Sequence, residues 1–335
     1  MNRRTLVRGN NMLHVDGVIY NLQQTGGISV LFDEILKRMP RESFTLDIPK
    51  LSYPWSRYGH AKFDSPSSIF HSTYYRLPEG KSAGIVTTVH DFTYEKFARG
   101  VRKGLHSWQK RRAISGADVI ICVSESTKSD LYEFAKVTSN QKVIVVPNGV
   151  SESYRHLAHS VDEQILFVGA RGTYKNFRNV VLALSRIPDI KIICVGGGEY
   201  SIDERKFLER HIPGRYKHAG KITNEELNEQ YNKSICLVYP SLYEGFGIPV
   251  LEAMSAGCPV IAVCSSSIPE VAGNAAWLLD TGSVEEIADG IDFFSSKVNR
   301  ERFMMLGFSQ ASKFSWDITY RLTLRIYEEL LGKKL

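Results

Sequence analysis

The feature that most restricts how this chain can fold is an alternation. Short apolar, β-branched runs are each followed by a longer amphipathic stretch, along almost all of its 335 residues. The spacing predicts strands over 13–20, 68–71, 85–90, 119–123 and 142–146. A second series follows over 164–168, 190–195, 216–219, 235–239 and 260–263. Between them, helical periodicity predicts helices over 29–39, 127–134, 176–185, 202–211, 223–233 and 249–256. Strands that alternate with helices in this way build parallel sheets covered by helices on both faces. The series restarts once: VIVVPNGV closes the first half, the polar segment 151–163 intervenes, and ILFVGA opens the second. Two α/β domains are therefore expected, with a linker at the polar break. A cleft between such domains is where strand C-terminal ends and helix N-termini can converge on a ligand.

Composition excludes several classes. With 43% hydrophobic and 23% charged residues the chain reads as an ordinary globular protein. The basic start MNRRTLVRGNN is not followed by an apolar stretch of signal-peptide length, and no run of about 18 apolar residues occurs. The five cysteines show no CxxC pair or Cys/His ligand spacing. Three lie in strand-like runs, which points to reduced thiols and a cytoplasmic setting. The net charge is +6, and part of the excess falls between Lys96 and Arg112. There Arg99, Arg102, Lys103, Lys110 and Arg111 occur with no acidic residue. Two readings stay open: a solvated helix face, or attraction to an anionic lipid surface or phosphorylated acceptor. No nucleic-acid-binding motif accompanies the charge.

The segment YPSLYEGFGIPVLEAMSAGCPVIA, Tyr239 to Ala262, reads as a strand, a glycine loop and a helix opened by Pro249. Proline suits the first turn, where its missing N–H has no intrahelical partner. Gly245 and Gly247 let the backbone approach a ligand, and the helix N-terminus favours a diphosphate. Glu244 and Glu252 frame this element. Carboxylates beside phosphates repel them unless they bind hydroxyls, so sugar or ribose recognition is the sensible role.

This block resembles the E-x7-E signature of the group 1 family of retaining glycosyltransferases. The resemblance implies a GT-B fold: α/β, two Rossmann-like domains facing a cleft, with a C-terminal helix crossing back to the first domain. It also implies that Glu244 contacts the donor sugar, that Glu252 contacts the nucleotide ribose, and that Gly245, Phe246, Gly247 and Ile248 line the sugar and phosphates. SSSIPEVAG is similar to the family's following PE-x-x-G segment, filled here by Pro269, Glu270 and Gly273. FVGARGTYKN corresponds to the loop whose basic pair clamps the donor diphosphate, giving Arg171 and Lys175. Its loop is slightly short and Arg171 is offset, so Lys175 is the better match. QTGGISVLFDEIL supplies Gly26 and Gly27 at the early phosphate- or acceptor-binding turn. VTTVHDFTYEKF supplies His90 as a donor-sugar contact, with Asp91 beside it. VGGGEY, with Gly197, is the loop near the base. ICVSESTKSDL and VVPNGV match the last strands of the first domain, with Ser124 as a helix cap and Asn148-Gly149 as a turn. FSWDITYRLTLRIYEELL is similar to the returning helix.

The resulting expectation has an acceptor-binding domain over 1–155, a nucleotide-sugar-binding domain over 156–312 and a returning helix over 313–335. The implied reaction is retaining transfer of a hexose, mannose favoured, from a GDP- or UDP-linked donor to a glycan or lipid-linked acceptor. Similarity to bacterial O-antigen and surface-polysaccharide mannosyltransferases carries that preference, along with a cytoplasmic site peripheral to the inner membrane face. No DxD triad occurs, so no metal and no cofactor are expected. A nicotinamide site fails because GxGxxG is incomplete after Gly196-Gly197-Gly198, and a P-loop fails because Ile222 follows Gly220-Lys221. A nucleotide-sugar epimerase, a sugar phosphorylase or a non-catalytic binding subunit on the same fold stay open as alternatives.

Overall fold

The computed structural model describes residues 12–23, 26–50 and 53–335. It divides into two compact units, the first formed by 1–149 together with 316–335, the second by 150–315.

The first unit contains β1 (Leu13–Asp16), β2 (Phe44–Asp47), β3 (Ser65–Ser72), β4 (Ser82–Val89), β5 (Val119–Cys122) and β6 (Lys142–Val145). They form one sheet in the order β2-β1-β3-β4-β5-β6, and every pairing is parallel. Leu13, Ile69, Phe70, Val86, Ile120 and Cys122 are buried within it, as expected of a sheet covered on both faces. The helix Trp316–Leu331 packs on β3, β4 and the helix Gly27–Leu36. Its buried Tyr327 hydroxyl lies 2.7 Å from His71 Nδ1, while His71 Nε2 meets Thr88 Oγ1 at 2.9 Å. The chain end therefore completes the first unit, as the returning-helix expectation requires.

The second unit holds β7 (Gln164–Val168), β8 (Lys191–Val195), β9 (Tyr216–Gly220), β10 (Cys236–Tyr239), β11 (Val260–Val263) and β12 (Trp277–Leu279). Its sheet is also six-stranded and parallel, in the order β12-β11-β10-β7-β8-β9. Counted from β7 this is the doubly wound order 3-2-1-4-5-6. Ile165, Val180, Ile192, Val238, Ile261, Ile287 and Phe294 are fully buried in one core.

Two sequence expectations shift. The apolar run 13–20 is strand only to Asp16 and continues as the short helix Ile19–Leu22. An apolar run by itself does not separate the two states. Here Gly17 N donates to Asp47 O at 2.7 Å and Ile19 N to Thr73 Oγ1 at 3.0 Å, turning the chain off the sheet. The helices Val101–Ser115, Val284–Ser295 and Lys297–Ala311, and the strands β2 and β12, add to the elements expected.

Candidate functional site

In the second sheet β7 and β10 are neighbours, yet the chain leaves them toward opposite edges. The loops beyond their C-terminal ends, 169–176 and 240–247, part at this switch point, where doubly wound sheets bind ligands. Lys175 comes from the first loop and Glu244 from the second, and Lys175 Nζ forms an ion pair with Glu244 Oε1. Both side chains are nearly buried, at 12% and 13% exposure. The ammonium also lies 5.1 Å from the Tyr174 ring and 5.4 Å from the Tyr239 ring. Leu242 N donates to Tyr174 O at 2.8 Å, which ties the two loops together.

Beyond Glu244 the chain turns through Gly245 and the buried Phe246 to Gly247. Gly247 has φ +98°, which favours glycine, and a Cβ there would also stand 2.8 Å from the end of the Ile268 side chain, which would have to shift. It precedes the helix Ile248–Ala256, which has proline in its first turn and no side-chain cap. Its N-terminal end is therefore presented to the loop, not to a capping side chain. Glu252 lies one turn in. Tyr231 OH donates to its Oε2 at 2.9 Å, and Tyr231 is itself fully buried. Burial pushes the Glu252 carboxyl up to about 7, against the hydrogen bonds from Tyr231 and Tyr154 that favour its charged form. Pro269 opens the short helix Ile268–Ala272, which Gly273 ends at φ +52°.

Arg171, expected in a diphosphate clamp, makes its contacts with the loop after β8 and the helix beyond it. Its Nε meets Glu204 at 3.0 Å, Nη1 donates to Gly196 O at 3.2 Å, and Nη2 donates to Gly198 O and Glu199 O at 2.7 and 3.0 Å. The guanidinium also stacks over Tyr200 at 4.6 Å. Four of its contacts are spent on holding the loop after β8. That loop runs through Gly196, Gly197 and Gly198, all near φ +75°. A Cβ on Gly197 would meet Gly169 O at 2.5 Å, so the two loops pack backbone to backbone.

The remaining candidates belong to the first unit. His90 directly follows β4 and is 9% exposed, and its Nε2 is buried with no hydrogen-bond partner. Burial holds its pKa down at about 4, assisted by the Lys110 charge and opposed by Asp91, so the ring is neutral. Asp91 Oδ1 accepts from Thr93 N at 2.9 Å, which orients the loop. Lys110, counted in the sequence among the exposed basic residues, is instead buried. Its Nζ reaches Glu95 Oε2 at 2.8 Å and Asp91 O at 2.7 Å, pinning the loop that follows His90. Lys96 is likewise committed, to Asp130 at 2.7 Å. The accessible part of that stretch is a shallow groove along Val101–Ser115, of about 500 Å³, lined by Lys103, Trp108, Arg111 and Arg112.

Gly26 is extended at φ 177° and Gly27 begins a helix, so neither uses a left-handed backbone. Glutamine 24 and threonine 25, in the same motif, lie outside the described residues. Ser124 caps the helix Glu125–Phe134 by accepting from Thr127 N at 2.9 Å. Asn148 is buried beside Pro147, whose carbonyl accepts from Thr319 Oγ1 at 2.7 Å. Two positions to which the sequence assigned no such role support candidates, each within its own unit: Tyr231 beneath Glu252 in the second, and Lys110 beneath the His90 loop in the first. Neither carries a local motif, and each is recognised only from what it touches.

Comparison with known proteins agrees with this fold. Residues 152–304 match the family described as Glycosyl transferases group 1, and residues 60–154 match Glycosyltransferase Family 4. The O-antigen chain mannosyltransferase B of Escherichia coli is 27% identical over 326 residues, covering 88% of this chain and 83% of that protein. The O-antigen chain mannosyltransferase RfbU of Salmonella typhimurium is 26% identical over 250 residues, with 69% of each covered. Among solved structures, sucrose-phosphate synthase from Thermosynechococcus elongatus superposes with a TM-score of 0.77 at 16% identity, over 96% of this chain and 99% of that one. HepE of Anabaena, solved with UDP-glucose, gives 0.72 at 14% identity, over 95% and 99%. WaaG, described as a glycosyltransferase of lipopolysaccharide biosynthesis, gives 0.70 at 12%, over 96% and 100%.

Proposed function

Because this chain belongs to the group 1 glycosyltransferases of GT-B fold, we propose that it moves a hexose, mannose by preference, from a nucleotide-diphosphate sugar to a glycan or lipid-linked acceptor. The observation that carries the reading is the pairing of Lys175 with Glu244 at the switch point, beside the Gly247 turn and the uncapped helix it opens. A cation and a helix N-terminus suit a diphosphate, and a carboxylate beside them suits sugar hydroxyls. Names of relatives favour mannose and surface polysaccharide: two are O-antigen mannosyltransferases. The UDP-glucose held by HepE supports a nucleotide-sugar donor while leaving GDP and UDP both in play.

In this reading, donor binding exchanges partners within the ion pair. The diphosphate takes Lys175, and Glu244 takes a sugar hydroxyl in its place. As the anomeric carbon–oxygen bond breaks, negative charge grows on the departing diphosphate, where Lys175 and the helix N-terminus stabilise it. Glu252 accepts from the ribose. His90 is neutral with Nε2 unpartnered, which suits it to the sugar-hydroxyl contact that the family resemblance implies. Arg171 serves by bracing the glycine loop against which the base rests. The leaving phosphate acts as base, attack comes on the face of departure, configuration is retained, and no metal or other cofactor takes part. The groove of Lys103, Trp108, Arg111 and Arg112 offers an anionic membrane surface a place to rest, consistent with work at the inner face from the cytoplasm.

The test is transfer from GDP-[14C]mannose and UDP-[14C]glucose to a lipid-linked oligosaccharide acceptor in EDTA. Label should enter the lipid fraction from one donor, with the anomeric configuration of the donor. Release of sugar by inorganic phosphate without nucleotide would identify a phosphorylase, and conversion of the donor alone an epimerase. Donor binding with no turnover would identify a binding subunit.

A further inference from the structure

The loop that carries Glu244 has no regular secondary structure, so its backbone groups need partners from elsewhere. Three consecutive residues after β11 supply them. Ser265 Oγ donates to Leu242 O at 2.7 Å. Glu244 N donates to Ser266 Oγ at 2.8 Å. Ser267 Oγ shares its proton between Phe246 O at 2.8 Å and Glu244 O at 3.0 Å. Ser267 is fully buried, and the other two are half-buried.

Ser266 sits at φ +50°, a left-handed conformation that a residue with a Cβ adopts at a cost. A plain turn would place glycine here. The position instead keeps a side chain whose hydroxyl accepts from the amide of Glu244 itself. Lys175 also holds Glu244, but at the carboxylate. A diphosphate that draws Lys175 away removes that restraint and leaves the one at the backbone.

We propose that Ser265, Ser266 and Ser267 form a positioning device for Glu244, with Ser266 the residue that keeps this carboxylate aimed at the sugar once Lys175 has turned to the diphosphate. The proposal rests on the reading of Glu244 as the sugar-binding group. It assigns the serine run to recognition of the sugar, separate from binding of the nucleotide.

The experiment compares wild type, Ser266→Ala and Ser266→Gly by isothermal titration with GDP-mannose and GDP, and with UDP-glucose and UDP. Alanine removes the hydroxyl and keeps the backbone cost, whereas glycine removes both. In each variant the affinity ratio of nucleotide-sugar to bare nucleotide should fall about tenfold relative to wild type. The bare nucleotide should bind as before, and Ser266→Gly should melt above Ser266→Ala. Ratios unchanged in both variants would overturn the proposal. So would loss of bare-nucleotide affinity in step with that of the sugar nucleotide, since the serines would then hold up the whole site. Wild-type protein that binds none of the four ligands would overturn the donor reading, and the proposal with it.

Discussion

Lys175 and Glu244 neutralise each other while both are nearly buried, so each depends on the other until a ligand intervenes. Replacing Lys175 with Ala should lower kcat by about a hundred- to a thousandfold, the usual cost of removing one donor aimed at developing charge. Glu244→Ala should lose most of the turnover as well, with near-native circular dichroism in both variants. Glu252 gives a pH signature. Its carboxyl is raised to about 7, so near pH 6 it is mostly protonated and, in the ribose-binding role proposed for it, a poorer acceptor. Donor binding favours the carboxylate, and therefore releases a proton and tightens as pH rises from 6 to 8. Titration in buffers of different ionisation enthalpy should show the release, and Glu252→Gln should abolish it. At this scale the two glutamates, Lys175 and His90 could be named as candidates because each stands in a motif next to a strand end or in the helix that follows one. The partners of Arg171, the carbonyls of Gly196, Gly198 and Glu199 in the loop after β8 and Glu204 in the helix that follows it, could not be read from its own segment. The serine run was visible as letters, but only the fold shows that three hydroxyls meet one loop.

The elements were legible wherever periodicity and capping agreed. Ser201 with Glu204 and Thr223 with Glu226 form capping boxes that open helices within a residue of where the pattern placed them. Ser283 with Glu286 opens Val284–Ser295 in the same way, but that helix was not expected although its capping box is present in the sequence as SVEE. The helix Val101–Ser115 had no such mark: Gly100 precedes it without a side-chain cap, and its basic residues hide which face is inward. The inward face carries Lys110, at 1% exposure against Glu95 at 2%. Lys110→Met leaves that carboxylate buried and unpaired, which should cost about 3–5 kcal/mol in urea denaturation. Adding Glu95→Gln should recover part of the loss. An exposed lysine would show almost none of this. Gly247→Ala tests the second unit: with φ +98° and Ile268 in the way, it should lower both the melting temperature and nucleotide affinity.

At the level of the molecule, two parallel sheets, five strands of each, were readable from strand–helix alternation and its single restart, whereas the helix that packs back on the first sheet was implied only by the family resemblance. The edge strands β2 and β12, FTLD and WLL, were missed because they carry no clear period, whereas the edge strands β6 and β9 were expected. The central claim is that the second unit binds a nucleotide-activated sugar through Lys175, Glu244 and Glu252. Thermal unfolding in EDTA, with GDP-mannose, GDP, UDP-glucose and UDP, tests it most directly. At a hundred times its dissociation constant the preferred ligand adds about 2.7 kcal/mol, raising the melting temperature by about 5–10 °C for a unit of this size. The account predicts that shift for one nucleotide family in wild type and its loss in Lys175→Ala. No shift with any of the four ligands, or an undiminished shift in Lys175→Ala, would contradict it.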